Sequence, residues 1–161
     1  MRIICIILLI SSFFQAKGQN FTLKNGDFMD TTLTNNPACK SYYSYYYSYN
    51  AKYPQSSATT LKNVKAFLRY DNFSIPTAAS GYITFKFIID CDGKMSYVKV
   101  LQTDEKYNTK KFEKPLVEEL YQFLKTLDNW KKAKYEDKIP INYFAFMSFK
   151  IQNGEIINII P

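Results

Sequence analysis

Few side chains in this sequence can do chemistry, and their types narrow what that chemistry is. Histidine is absent. That removes Ser-His and Cys-His nucleophilic pairs, His-liganded zinc, and the commonest general base near neutral pH. Neighbouring carboxylates occur at Asp90 with Asp92 and at Glu118 with Glu119. Such pairs can exchange protons with a substrate, yet neither is accompanied by a nucleophile or a phosphate-cradling glycine loop. The acids around Asp92-Gly93 also invite a calcium-loop reading. It fails, because Ile88 and Lys99 fall where oxygen ligands are needed. We therefore expect a non-enzymatic protein with no catalytic residues, no metal ligands and no cofactor. A hydrolase would need two carboxylates facing each other across a cleft.

Tyrosine is the other concentration of functional groups. Seven lie between Tyr42 and Tyr53, interleaved with Ser44 and Ser48. Asn36-Pro37 reads as a helix start, with Asn as N-cap and Pro in the first turn, and Pro54 as a stop. A helix from residue 36 to about 51 would align Tyr42, Tyr45, Tyr46, Tyr49 and Tyr53 on one face, with Ser41, Ser44 and Ser48 opposite. We expect that stripe to pack on a sheet with its hydroxyls at the rim. The competing reading is a carbohydrate or surface-adhesion module using exposed tyrosines, for which Tyr43 and Tyr47, off the stripe, are the candidates.

The compartment bears on both readings. Residues 1–18 have the form of a signal peptide: Arg2, a short apolar run from Ile3 to Ile10, then Ala16-Lys17-Gly18 before Gln19. The run is too short for a membrane span. Cleavage leaves residues 19–161 and lowers the net charge from +7 to +5, since Arg2 and Lys17 leave with it. The expected location is periplasmic or extracellular, with no stable membrane span. Scattered lysines without a basic stripe argue against nucleic acid as partner. Cys39 and Cys91 would remain in a compartment that permits disulfides. We expect them to bridge; two buried free thiols are the alternative.

Residues 19–35 read as an extended arm, and 36–79 as a helical subregion with a second short helix near 60–70. Tyr82, Thr84 and Lys86 alternate with Ile83, Phe85 and Phe87, the pattern of a strand with one buried face. Asp92-Gly93 signals a hairpin, and Met95 to Leu101 the returning strand. A helix over about 109–129 carries the stripe Phe112, Leu116, Leu120, Phe123, Leu124 and Leu127. Ile141 to Ile151 reads as a long strand, Asn153-Gly154 as a turn, and Glu155 to Ile160 as a last strand.

This ordered set resembles the C-terminal domain of the TonB energy-transducer family. The resemblance rests on Tyr53-Pro54, Gly81-Tyr-Ile-Thr-Phe-Lys-Phe87, Asp92-Gly93-Lys94, Val98-Lys-Val-Leu101, Phe112, Trp130 and Phe149-Lys-Ile-Gln-Asn-Gly154. It implies an α+β fold, an antiparallel three- to four-stranded sheet packed by a long helix (a ββαβ core, residues 80–161), preceded here by the Tyr-rich helix within one domain, 36–161. The family's inner-membrane anchor and Pro-rich spacer have no counterpart in this reading. The resemblance also implies a protein- or peptide-binding module of a Gram-negative envelope that adds a partner's strand to a sheet edge, the partner being an envelope protein such as an outer-membrane transporter segment. The corresponding edge is Phe144, Phe146, Ser148, Phe149, Lys150 and Ile151. The last strand could fold back onto that same edge. In this arrangement a Cys39–Cys91 bridge would pin the Tyr-rich helix to the first hairpin.

Overall fold

The structure is a computed structural model and describes residues 27–33 and 36–161. The expected signal peptide, 1–18, and the rest of the arm lie outside the described residues. In chain order the elements are β1 (Asp27–Phe28), β2 (Lys40–Tyr45), α1 (Ser57–Tyr70), β3 (Gly81–Ile89), β4 (Met95–Thr103), α2 (Lys114–Lys125), β5 (Ala133–Tyr135), β6 (Ile139–Gln152) and β7 (Glu155–Ile160). The described residues thus form an α+β fold with one mixed seven-stranded sheet and two α-helices.

Alternation builds the centre of the sheet. Ile83, Phe85, Phe87 and Ile89 of β3 are buried, and so are Tyr143, Ala145, Met147, Phe149 and Ile151 of β6, which pairs with it antiparallel. β4 pairs antiparallel along the other side of β3 through the Asp90–Lys94 turn. Asp90 is buried and its Oδ1 accepts from the amides of Asp92 and Lys94, at 2.9 and 2.8 Å. The carboxylate is consumed in shaping the hairpin. Both helices cover the same sheet face. Val64 and Leu68 of α1 and Leu116, Leu120, Phe123 and Leu124 of α2 join one cluster with the buried strand residues. Each such side chain contributes roughly 1.5–3 kcal/mol on burial. Trp130 closes the cluster between Tyr53 (4.5 Å between ring centres) and Phe87 (5.0 Å), and its Nε1 donates to the Leu127 carbonyl at 3.0 Å.

β6 organises the rest. Register places β3 (Tyr143–Ile151) and then β5 (Ile139–Ile141) along one side of it, and β2 (Ile141–Phe144) and β7 (Ser148–Gln152) along the other. The Asn153-Gly154 turn, with φ of 49° and 79°, folds β7 back as the sequence suggests.

Three expectations are corrected. The Tyr-rich segment is not a helix. It is the strand β2, parallel to β6, followed by one 3₁₀ turn at Tyr46–Tyr49. Tyrosine and serine are poor helix formers, and aromatic residues suit a pleated surface, so a long-range partner decided the conformation. Asn36-Pro37 starts a turn instead of a helix: Asn36 Oδ1 accepts from Ala38 N at 2.9 Å and its carbonyl from Cys39 N at 3.0 Å. Secondly, the sheet is neither three- to four-stranded nor wholly antiparallel, because β2 adds in parallel and the arm adds β1 to β4. Thirdly, α2 is shorter than 109–129. Residues 109–112 run along β4, with a Thr103–Thr109 bridge, Lys110 N donating to the Gln102 carbonyl, and Phe112 N to Gln102 Oε1. Pro115 in the first turn bars continuation upstream.

The disulfide is present. Cys39 and Cys91 are bonded, with Cα atoms 5.5 Å apart, and both are buried. It ties the start of β2, not a helix, to the β3–β4 hairpin turn.

Candidate binding face

With both helices on one face, the second face of the sheet is left to the alternate residues of each strand. Register orders them in rows running from β4 across β3 to β6. Thr103, Tyr82 and Lys150 form the first row, with Asn158 of β7 beyond. Leu101, Thr84 and Ser148 form the second, with Ile160 beyond; the Thr84 and Ser148 hydroxyls are 2.6 Å apart. Lys99, Lys86 and Phe146 form the third, which Phe28 of β1 extends beyond Lys99. Ile88, Phe144 and Tyr45 form the fourth. Strand spacing and rise make this face roughly 20 Å on a side.

Aromatic rings and lysines dominate it. Lys86 Nζ lies 4.3 Å from the centre of the Phe144 ring and 5.6 Å from those of Phe146 and Tyr45. Lys99 lies 4.3 Å from the Phe28 ring and 5.5 Å from Tyr97. Lys150 lies 5.9 Å from Tyr82. Rings hold these ammonium groups at close range without neutralising them. Among the described residues none of the three lysines makes an ion pair. Burial, with the facing charge of Lys99, pulls the pKa of Lys86 below its ordinary value. No Asp or Glu occupies the four rows; Asp104 and Glu155 lie past their ends.

Two tyrosines stand on top of others. Tyr47 stacks on Tyr45 at 5.4 Å and 6°, and is 62% exposed. Tyr107 stacks on Tyr82 at 5.2 Å and 13°, and is 72% exposed. A tight turn presents Tyr107. Asp104 Oδ1 accepts from the amides of Lys106 and Asn108, both at 2.8 Å, and Tyr107 takes a left-handed φ of 63°. The Asn108 side chain and amide hold the Asp104 carboxyl below the usual range. The Tyr107 hydroxyl is pushed up by its hydrogen-bonded neighbour Tyr82.

The residues of the expected peptide edge divide between two surfaces. Phe144, Phe146, Ser148 and Lys150 project onto this face, whereas Phe149 and Ile151 are buried under the helices. Backbone positions Ser148 to Ile151 pair with β7 on the side away from β3, and Phe144 pairs with β2. Among the described residues only the short stretch between them lacks a strand partner on that side, and there the Tyr46 hydroxyl reaches the Pro161 carbonyl at 3.3 Å. The fold-back contemplated from the sequence is the arrangement present.

Among the described residues, the two carboxylates that line one cleft, Glu118 and Asp27, are each paired with a lysine. Glu118 pairs with Lys114 at 3.3 Å on the exposed side of α2. A cleft of about 470 Å³ beside it also admits Asp27, whose carboxylate is paired with Lys111. No described helix is long and apolar enough to cross a membrane. Lys99, Tyr97, Phe28 and Tyr107 were not singled out from the sequence. The signal for Tyr97 and Lys99 is a second-face alternation in β4 and for Tyr107 a turn, Phe28 in β1 has none, and the set acquires meaning only once strand order is known. No family model, curated protein or solved structure matches this chain.

Proposed function

We propose that this chain is an exported, non-enzymatic binding module of a Gram-negative cell envelope, and that its open sheet face holds a carbohydrate through exposed tyrosines. The observation that carries the reading is the pair of outward stacks, Tyr47 on Tyr45 and Tyr107 on Tyr82, on the face opposite the helices. The C–H-rich side of a pyranose packs against a ring that is already stiffened from beneath. The cost of ordering such a ring is small, because the stack has restrained it beforehand. Electrophoresis of the secreted protein through gels containing soluble envelope polysaccharide tests this. Retardation is expected, and Tyr47→Ala and Tyr107→Ala should each reduce it. Retardation that both variants retain would overturn the reading.

A peptide-binding reading, with the TonB C-terminal-like core as its basis, is favoured by a different observation. Among the described residues β7 pairs only with β6, and its Ile157 and Ile160 are exposed. Strand addition would then use the outer edge of β7, whereas the Phe144–Ile151 edge would require β7 to leave. Capture of an envelope peptide that is lost in Ile157→Pro, with the tyrosine variants unaffected, would select this alternative.

A further inference from the structure

We propose that the ligand of the open face is an acidic polysaccharide, in which carboxylate-bearing sugars are separated by sugars that present an apolar ring face. The inference rests on the carbohydrate reading above and adds the charge of the ligand to it. Lys86, Lys99 and Lys150 stand on the same face as the tyrosine stacks, without a carboxylate in the rows and without an ion pair among the described residues. Lys86 and Lys99 are directly opposite each other on neighbouring strands. Like charges so placed are unfavourable in the free protein. An anion between them relieves that repulsion, so the binding position is set by the pair.

The third charge fixes a direction. Lys150 is in the first row and the Lys86–Lys99 pair in the third, which four residues of strand rise put about 14 Å apart. Between them lie Thr84, Ser148 and Leu101, uncharged. Two anionic points separated by an uncharged stretch fit a polymer charged at intervals along its length. Nucleic acid fits less well. It carries a charge on every nucleotide, and phosphate is best gripped by the planar fork of arginine. The whole sequence has only Arg2, in the expected signal peptide, and Arg69, which is on α1. Lysine, a compact hydrated point charge, suits an exposed carboxylate.

The test uses the secreted protein and two forms of one polymer, hyaluronate, whose carboxylate-bearing sugars alternate with uncharged ones, and its methyl-esterified, uncharged counterpart. Binding is measured by calorimetry at 20 and 200 mM salt. The acid form should bind more tightly than the ester, and the preference should shrink at the higher salt. Replacing all three lysines with glutamine should weaken the acid form about tenfold and leave the ester unchanged. The triple Lys→Arg variant should retain binding, which separates charge from any loss of packing. Equal binding of acid and ester would overturn the charge inference and leave the carbohydrate reading standing. Binding of neither form, with the fold intact by circular dichroism, would overturn both. Tighter binding of a thymidine oligonucleotide than of hyaluronate of equal charge number would assign the face to nucleic acid and overturn the proposal.

Discussion

Removing the disulfide should cost stability mainly through the unfolded chain, and it should loosen one strand before the rest. The bridge joins positions 52 residues apart. In the chain-entropy treatment, freeing a loop of that length in the unfolded state costs about 4 kcal/mol of stability. For a domain of this size that corresponds to a fall in melting temperature of about 12 °C. The double variant Cys39→Ala/Cys91→Ala is the right perturbation, because it leaves no unpaired thiol. Calorimetry gives the melting temperature, and amide hydrogen exchange locates the loss. β2 pairs with β6 at Lys40, Ser44 and Tyr45 with an irregularity between them, and the bridge anchors its start to the hairpin. Amides of residues 40–45 should therefore lose protection at denaturant concentrations where β3 and β6 keep theirs. A fall of less than about 3 °C would refute the loop-entropy reasoning. A full fall with β2 protected as strongly as β3 would show that the β6 ladder alone holds the strand.

Gly81 has a φ of 133°, and a Cβ there would run into the Thr103 carbonyl oxygen, so Gly81→Ala should destabilise by about 2–3 kcal/mol, read from the urea midpoint. Tyr143 is buried and its hydroxyl donates to the Lys131 carbonyl at 2.7 Å; Tyr143→Phe should cost about 1 kcal/mol by the same assay, and no change would mean that water replaces the partner. The lowered pKa of Lys86 means that the folded protein binds fewer protons than the unfolded chain between that value and the ordinary lysine value. Its penalty is full below the folded pKa and is relieved as pH rises through this window, so stability rises there. Burial raises the hydroxyl pKa of Tyr53 and Tyr143, which pulls the other way, so the difference in melting temperature between native protein and Lys86→Gln across pH 8–10.5 isolates the lysine. Native stability that does not gain on the variant would contradict the assignment.

Local signals carried the centre of the fold. Period-2 alternation in Tyr82 to Phe87, the Asp92-Gly93 and Asn153-Gly154 turns, and the apolar stripe of α2 each act within a dozen residues, and each is realised. The tyrosine segment was misread because two periods fit it. Tyr42, Tyr45, Tyr46 and Tyr49 match a helix, while strand pairing with β6 is a fact about residues nearly a hundred positions away. The candidate face was illegible for the same reason. Lys86, Lys99, Phe146, Tyr45 and Phe28 sit on five strands, and their proximity depends on strand order. One hint was present: Tyr143 to Met147 is apolar on both faces. A strand covered by helices on one side only does not need rings such as Phe144 and Phe146 on the other, unless that side has work to do.

The position of β6 has a consequence for how the molecule comes into being. Four strands lean on it directly, yet it is made after all but one of them. A chain emerging amino end first would form the β3–β4 hairpin early, since its pairing is local. β2 would wait through about a hundred residues for its partner. Until then its tyrosines have no sheet to join, and the last segment to appear is the one that gathers the strands already made. Folding should therefore be slow to begin and abrupt to finish, as expected where non-local pairing dominates. A chain that stalls before residue 139 should behave as a collection of fragments, not as a smaller version of the domain.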